Sequence, residues 1–188
     1  MKITITGPRS VGKSSVSPLV AKKLKLKYIS SDELGEKEFK KQGGLDKVIK
    51  SGKIKEIINS GGYNLILDAY KKNKNFVFDL SAGAFTSRSM SKASHEIRKI
   101  AKKDSFIVGL LPYKNRIRSS FLLFNRERKR IHFQNSKKSA LFLRTFRKYK
   151  HIKKILLNNS NLIIFTRKKT PNEISKEIIS KINHNYNK

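Results

Sequence analysis

The run Gly7-Pro8-Arg9-Ser10-Val11-Gly12-Lys13-Ser14 has the spacing of a phosphate-binding loop: a glycine, four residues, then Gly-Lys-Ser/Thr. Each residue type has a task in that chemistry. The glycines Gly7 and Gly12 let the backbone wrap, so that N–H groups along Ser10, Val11, Gly12, Lys13, Ser14 and Ser15 converge on an anion. Lys13 reaches the β and γ phosphates of a nucleoside triphosphate, and the Ser14 hydroxyl is suited to Mg2+. A helix starting at the lysine adds its positive end. The cofactors expected from this loop are ATP and Mg2+.

Two acidic sites follow strand-like residues. Asp79 ends the apolar run Phe76-Val77-Phe78, the form of a carboxylate that holds Mg2+ beside a phosphate loop, directly or through water. Asp32, with Glu33 beside it, follows Lys27-Tyr28-Ile29-Ser30-Ser31 and can orient an accepting hydroxyl or take its proton. Plainer roles compete: Asp32 as a helix N-cap, Asp79 as a strand-end turn. The small-residue stretch Ser81-Ala82-Gly83-Ala84 reads as a loop that lets a ligand approach the backbone.

Cations gather at 115–138, where Arg116, Arg118, Arg126, Arg128 and Arg130 stand with Lys129, Lys137 and Lys138. Such a segment can neutralise charge on a moving phosphoryl group, and Arg126 is the residue assigned to that task. Taken singly, each arginine also fits a solvated helix face. Arg167, after the last apolar block, is placed at the base of the nucleotide. The histidines His95, His132, His151 and His184 have no paired spacing and receive no metal or catalytic role.

These side chains need a scaffold, and the apolar blocks supply one. Strand-like runs fall at 2–6, 26–30, 75–80, 106–111 and 161–166, separated by longer stretches of helical periodicity. Continuous apolar runs fit strands covered on both faces. The expected fold is therefore α/β, a doubly wound parallel sheet of five strands, in a single domain over 1–183 with a frayed tail at 184–188. Helices are expected at 13–25, 32–41, 45–60, 63–72, 94–103, 115–131, 139–158 and 171–183. Pro18 should bend or loosen the first of them.

Composition bounds the partners. The formal charge is +31, from 44 Lys and Arg against 13 Asp and Glu, but 33 of the 44 are lysines scattered along the chain among frequent Asn and Ile. An A+T-rich coding sequence accounts for such a bias without a nucleic-acid site; sequence-blind binding at low salt is still expected. No apolar run approaches spanning length, so no membrane segment is expected, and the absence of cysteine and of a leader pattern fits the cytoplasm.

The order of these elements resembles shikimate kinase and its relatives among the nucleoside monophosphate kinase-like P-loop enzymes, over nearly the whole chain. The phosphate loop, Lys27-Tyr28-Ile29-Ser30-Ser31-Asp32-Glu33, Leu110-Leu111-Pro112 with the arginine-rich stretch after it, and 166–178 carry the resemblance. It implies Lys13 and Ser14 as phosphate and Mg2+ ligands, Asp32 on the acceptor hydroxyl, a substrate-binding helical segment near 33–72 and a basic lid near 115–138. The sequence departs from the family pattern where Ser30 replaces its first aspartate and where Asp79-Leu80-Ser81-Ala82-Gly83 replaces its triple glycine. The expected activity is transfer of the γ-phosphate of ATP to a small anionic acceptor: shikimate, a related hydroxy acid or a nucleoside monophosphate. Rival readings are a nucleotide kinase, a nucleic-acid-associated NTPase and a nucleotide binder without turnover.

Overall fold

The computed structural model describes residues 1–40, 43, 44, 47, 48, 51–129 and 137–186, without the side chains of 54, 55, 59, 60, 185 and 186. Five strands form one parallel sheet: β1 (Lys2–Gly7), β2 (Lys27–Ser30), β3 (Phe76–Ser81), β4 (Phe106–Leu111) and β5 (Leu162–Phe165). Their order is 2-3-1-4-5. Parallel neighbours cannot be joined by hairpins, so each connection crosses over through helix and covers a face of the sheet. This is why Ile3, Ile5, Phe76, Val77, Phe78, Leu80, Ile107, Val108 and Leu110 are all fully buried. Polar β1 side chains find partners inside: Thr4 Oγ1 lies 2.7 Å from both Tyr70 Oη and Ser105 Oγ.

The helices are α1 (Lys13–Leu24), α2 (Ser31–Glu38), α3 (Ile54–Ile57, running into a π turn at Ile58–Gly62), α4 (Asn64–Lys72), α5 (Ala82–Thr86), α6 (Ser91–Asp104), α7 (Arg116–Glu127), α8 (Lys138–Asn159) and α9 (Pro171–Tyr186). Pro18 does not break α1, which runs through it as one helix. The proline removes the donor for the Ser14 carbonyl, a loss confined to one bond near the solvated helix start. Of the helix expected at 45–60, residues 45, 46, 49 and 50 lie outside the described residues, and a turn at Ser51-Gly52-Lys53, where Gly52 holds a φ of +75°, interrupts it ahead of α3; residues 130–136 of the basic segment also lie outside the described residues.

One expected loop is a helix. The stretch Ser81-Ala82-Gly83-Ala84 forms the start of α5, because Ser81 Oγ caps it by accepting from Ala84 N at 3.2 Å. Buried Phe85 then anchors it, and Arg98 Nη1 donates to the Phe85 carbonyl at 2.6 Å. At the other end of the chain, Thr170 and Glu173 form a reciprocal capping box: Thr170 N donates to Glu173 Oε2 at 2.6 Å and Glu173 N to Thr170 Oγ1 at 3.3 Å. With that start and Ile174, Ile178 and Ile182 buried, α9 packs along α1 and continues to Tyr186, beyond the expected end at 183.

Candidate active site

The chain leaves β1 toward β2 and β3 on one side and toward β4 and β5 on the other, so the carboxyl end of β1 is the switch point of the sheet. The phosphate loop occupies that point. Gly7 is dictated by packing, since a Cβ there would lie 2.5 Å from the Leu110 carbonyl oxygen on β4. Gly12 is dictated by conformation: its φ of +107° suits glycine, and a Cβ would meet nothing within 4 Å. The space beside Gly12 is thus open at the start of α1, where a phosphate would sit. Ser10 holds a φ of +63°, and its buried hydroxyl has no hydrogen-bond partner. Strain and an unpaired polar group in one loop are features that a bound anion would compensate.

Strand register brings the carboxylate to the loop. Asp79 pairs with Ile5 on β1 and with Ser30 on β2, so it stands between the phosphate-loop strand and the start of α2. Asp79 is 5 % exposed. Burial pushes its carboxyl above the ordinary range, and the charges of Asp32 and Glu33 add to that; Lys13 and a hydrogen bond with Ser14 oppose it. Asp79 is therefore within the electrostatic reach of Lys13 and hydrogen-bonded to Ser14, and it sits inside β3, two residues before the strand ends at Ser81. An acid that is both buried and surrounded by further acids is poised for a cation. No cluster of three or more His, Asp or Glu occurs among the described residues. Ser14 and Asp79 supply two hard oxygen donors, which fits Mg2+, an ion that keeps waters and substrate phosphates in its remaining positions. Lys13 Nζ meanwhile donates to the Gly7 carbonyl at 3.2 Å, folded back across the loop.

Asp32 is released from the competing role. The N-cap of α2 is Ser30, whose Oγ accepts from Glu33 N at 3.3 Å, while Ser31 Oγ accepts from Ser81 N at 2.9 Å and ties α2 to the end of β3. Asp32 is left exposed in the first turn of α2, close enough for its charge to act on Asp79. Arg126 reaches back from α7, 116 residues along the chain, and donates from Nη1 to the Ser10 carbonyl at 3.0 Å. The Arg167 guanidinium lies 5.5 Å from the centre of the Tyr113 ring.

Beside the loop lies a cleft of about 480 Å³ between Pro8 and Arg9, α5, and the inner faces of α7 and α8. Arg9, Arg88, Arg144, Arg147 and Lys148 line it, with Glu127 as the acidic side chain among them. Burial and the nearby charges of Arg144 and Arg9 hold the Lys148 ammonium below its ordinary range, against the opposing pull of Glu127. Thr145 Oγ1 fixes Glu127 Oε2 at 3.1 Å. Asp32 does not line this cleft. Sequence reasoning missed this cationic wall, although the spacing of 144, 147, 148 and 151 on α8 was a readable helical stripe.

Three comparisons with known proteins bear on this arrangement. The sequence profile described as shikimate kinase matches residues 9–183. No curated protein matches the chain by sequence. Among solved structures, shikimate kinase from Acinetobacter baumannii in complex with shikimate superposes with a TM-score of 0.71 at 18% identity, over 98% of this chain and 93% of that one. Shikimate kinase from Bacteroides thetaiotaomicron gives 0.71 at 15%, over 97% and 98%. Deoxyadenosine kinase from M. mycoides with bound dATP gives 0.56 at 17%, over 97% and 100%. At these identities the superpositions speak for the P-loop kinase fold, which kinases of different acceptors share.

Proposed function

Because the chain belongs to the shikimate kinase family, we propose that it transfers the γ-phosphate of ATP to a hydroxyl of a small anionic acceptor. The observation that carries this reading is the juxtaposition of two differently built halves. On one side stand Lys13, Ser14 and Asp79 at the phosphate loop; on the other is a cleft walled by Arg9, Arg88, Arg144 and Lys148. A hydrolase needs only the first half. A cleft lined with cations and opening beside the loop is what a second, negatively charged reactant requires.

In this scheme Lys13 and the loop N–H groups would hold the β and γ phosphates, and Ser14 and Asp79 would hold Mg2+, whose chemistry there would be to neutralise charge on the phosphates. The acceptor oxygen bonds to the γ phosphorus as the bridge to the β phosphate breaks, and ADP leaves. Asp32 stands outside the cleft, exposed in the first turn of α2, so it would orient the hydroxyl or take its proton where the bound acceptor extends past the loop toward α2. Arg126, whose Nη1 donates to the Ser10 carbonyl of the loop, is assigned in this scheme to the moving phosphoryl oxygens. Catalysis is then positioning and charge neutralisation.

The test is a panel assay of ADP release and phosphoryl transfer, with shikimate, other hydroxy acids and nucleoside monophosphates as acceptors. Shikimate comes first by family; a nucleoside monophosphate is the alternative. Tight ATP binding with no transfer to any member would defeat the kinase reading.

A further inference from the structure

His151 carries no role in the chemistry above, yet both of its ring nitrogens are engaged at the rim of the cationic cleft. Its Nε2 lies 2.8 Å from the Thr86 carbonyl oxygen, and Arg88 Nε donates to its Nδ1 at 3.2 Å. The two bonds fix one tautomer. A carbonyl can only accept, so Nε2 carries the hydrogen; Arg88 can only donate, so Nδ1 offers its lone pair. Arg88 and His151 come from elements 63 residues apart, the α5–α6 connection and α8, and both line the cleft with Thr86.

An exposed arginine left to itself samples many rotamers, and fixing it costs entropy that ligand binding must offset. Here the Nε–H is held by an imidazole that is itself held by backbone. Among the described residues no hydrogen bond engages the Nη groups of Arg88. A guanidinium held at Nε with its Nη donors uncommitted is a pre-organised receptor for a carboxylate or phosphate-like oxyanion.

We propose that Arg88 is a specificity-determining residue that reads an oxyanion of the second reactant, and that His151 is its positioning residue. This rests on the kinase reading, in which the cleft holds the acceptor. It goes beyond that reading by naming which of several cations is pre-set, and by what. Of the other charged groups facing the cleft, Arg9, Arg144, Arg147 and Lys148 supply a general positive field, opposed by Glu127, that His151 does not arrange.

The experiment is a double-mutant cycle on anion affinity, with the phosphate loop saturated by a non-hydrolysable ATP analogue so that it cannot take the probe. Sulfate and acetate are titrated calorimetrically as phosphate-like and carboxylate probes. Arg88→Gln is expected to weaken the better-bound probe about five- to tenfold, the loss of a charge-assisted bond at a partly exposed site. His151→Leu should weaken it about threefold in the wild-type background and not at all in Arg88→Gln, because it acts only through Arg88. His151→Gln, whose amide can keep the bond to Thr86, separates loss of positioning from loss of fold, which thermal unfolding reads in parallel. Wild-type affinity in folded Arg88→Gln, or an equal loss from His151→Leu in both backgrounds, would overturn the proposal. Affinity for the ATP analogue is measured separately: its absence would count against the kinase reading, and the sulfate and acetate titrations without analogue would still report on Arg88.

Discussion

The two halves of the site are built by opposite means. On the nucleotide side, backbone does the work: β1 ends in a loop whose glycines are fixed by a carbonyl 2.5 Å from a would-be Cβ at Gly7 and by a φ of +107° at Gly12, and Asp79 is delivered by strand register. On the cleft side, segments distant in sequence supply long charged side chains to a shared space, and the hydrogen bonds that arrange Arg88, at 3.2 Å, and the acidic Glu127, at 3.1 Å, are side chain to side chain. A backbone-built site tolerates little change, since each residue is fixed by geometry. A side-chain-built site can change its ligand by altering one residue, which is how a shared fold comes to serve kinases of different acceptors.

The largest expected effect therefore lies on the nucleotide side. Lys13→Ala should lower phosphoryl transfer by about 10³-fold, the scale of removing one pre-organised donor from a transferring group, with the unfolding temperature nearly unchanged. Activity and thermal unfolding measured together decide it: wild-type turnover in a folded variant would remove the basis for the loop's role.

Asp79→Asn comes next and separates function from stability. Turnover at limiting Mg2+ should fall by about 10²-fold, with a smaller change in nucleotide affinity without metal. The fold should respond the other way. Because burial raises the Asp79 carboxyl, its stabilising contribution is complete below the pKa of the unfolded chain and is lost as pH rises through the raised folded value. In metal-free buffer, Asp79→Asn should accordingly melt higher than wild type at pH 7.5, and the difference should shrink toward pH 4. Thermal unfolding across that range checks it; a lower melting temperature at pH 7.5 would show that Asp79 is a structural acceptor.

The same contrast explains what the sequence made legible. The five strands fall within a residue or two of their expected places, since continuous apolar runs such as Phe76-Val77-Phe78 leave little choice once helices cover both faces. The phosphate loop between β1 and α1, and the place of Asp79 on β3, were readable because the loop pattern lies in adjacent residues and the apolar run before Asp79 marks its strand. The α5 helix was not, because its signal is one serine cap followed by small residues that equally suit a turn. The cleft was missed for a different reason. Arg88, Glu127, Arg144 and His151 are distant in the chain, and in a sequence with 44 Lys and Arg no single cation stands out. What marks Arg88 is the imidazole that receives its Nε–H, a relation only three dimensions show.

Arg126 ties a helix that lines the cleft to the loop, a side chain from α7 bonded to loop backbone at Ser10. Arg126→Ala should reduce transfer by about tenfold, the scale of one charged hydrogen bond. Arg126→Lys should recover only part, since an ammonium keeps the charge but not the planar fork. Steady-state turnover at saturating ATP measures both. Equal loss in ATP affinity and in turnover would assign Arg126 to holding the ground-state loop.

The smallest expected effect tests whether the cap at Ser30 serves the site as well as the helix. Ser30 Oγ accepts from Glu33 N at the start of α2, and its neighbour across the sheet is Asp79. Ser30→Ala removes the cap, at a cost of about 1 kcal/mol, and lowers the melting temperature by about 2 to 4 °C. It also frees the first turn that carries Asp32, so transfer should fall a few-fold. Ser30→Asp separates the two consequences. An aspartate caps as well as a serine, so the helix start is preserved, but it sets a second carboxylate opposite Asp79 and drives the Asp79 carboxyl further up. Its metal-free fold should thus lose stability at neutral pH while gaining more from added Mg2+ than wild type does. Thermal unfolding with and without Mg2+ reads the difference directly, and an equal response in Ser30→Asp and wild type would place position 30 in the helix cap alone.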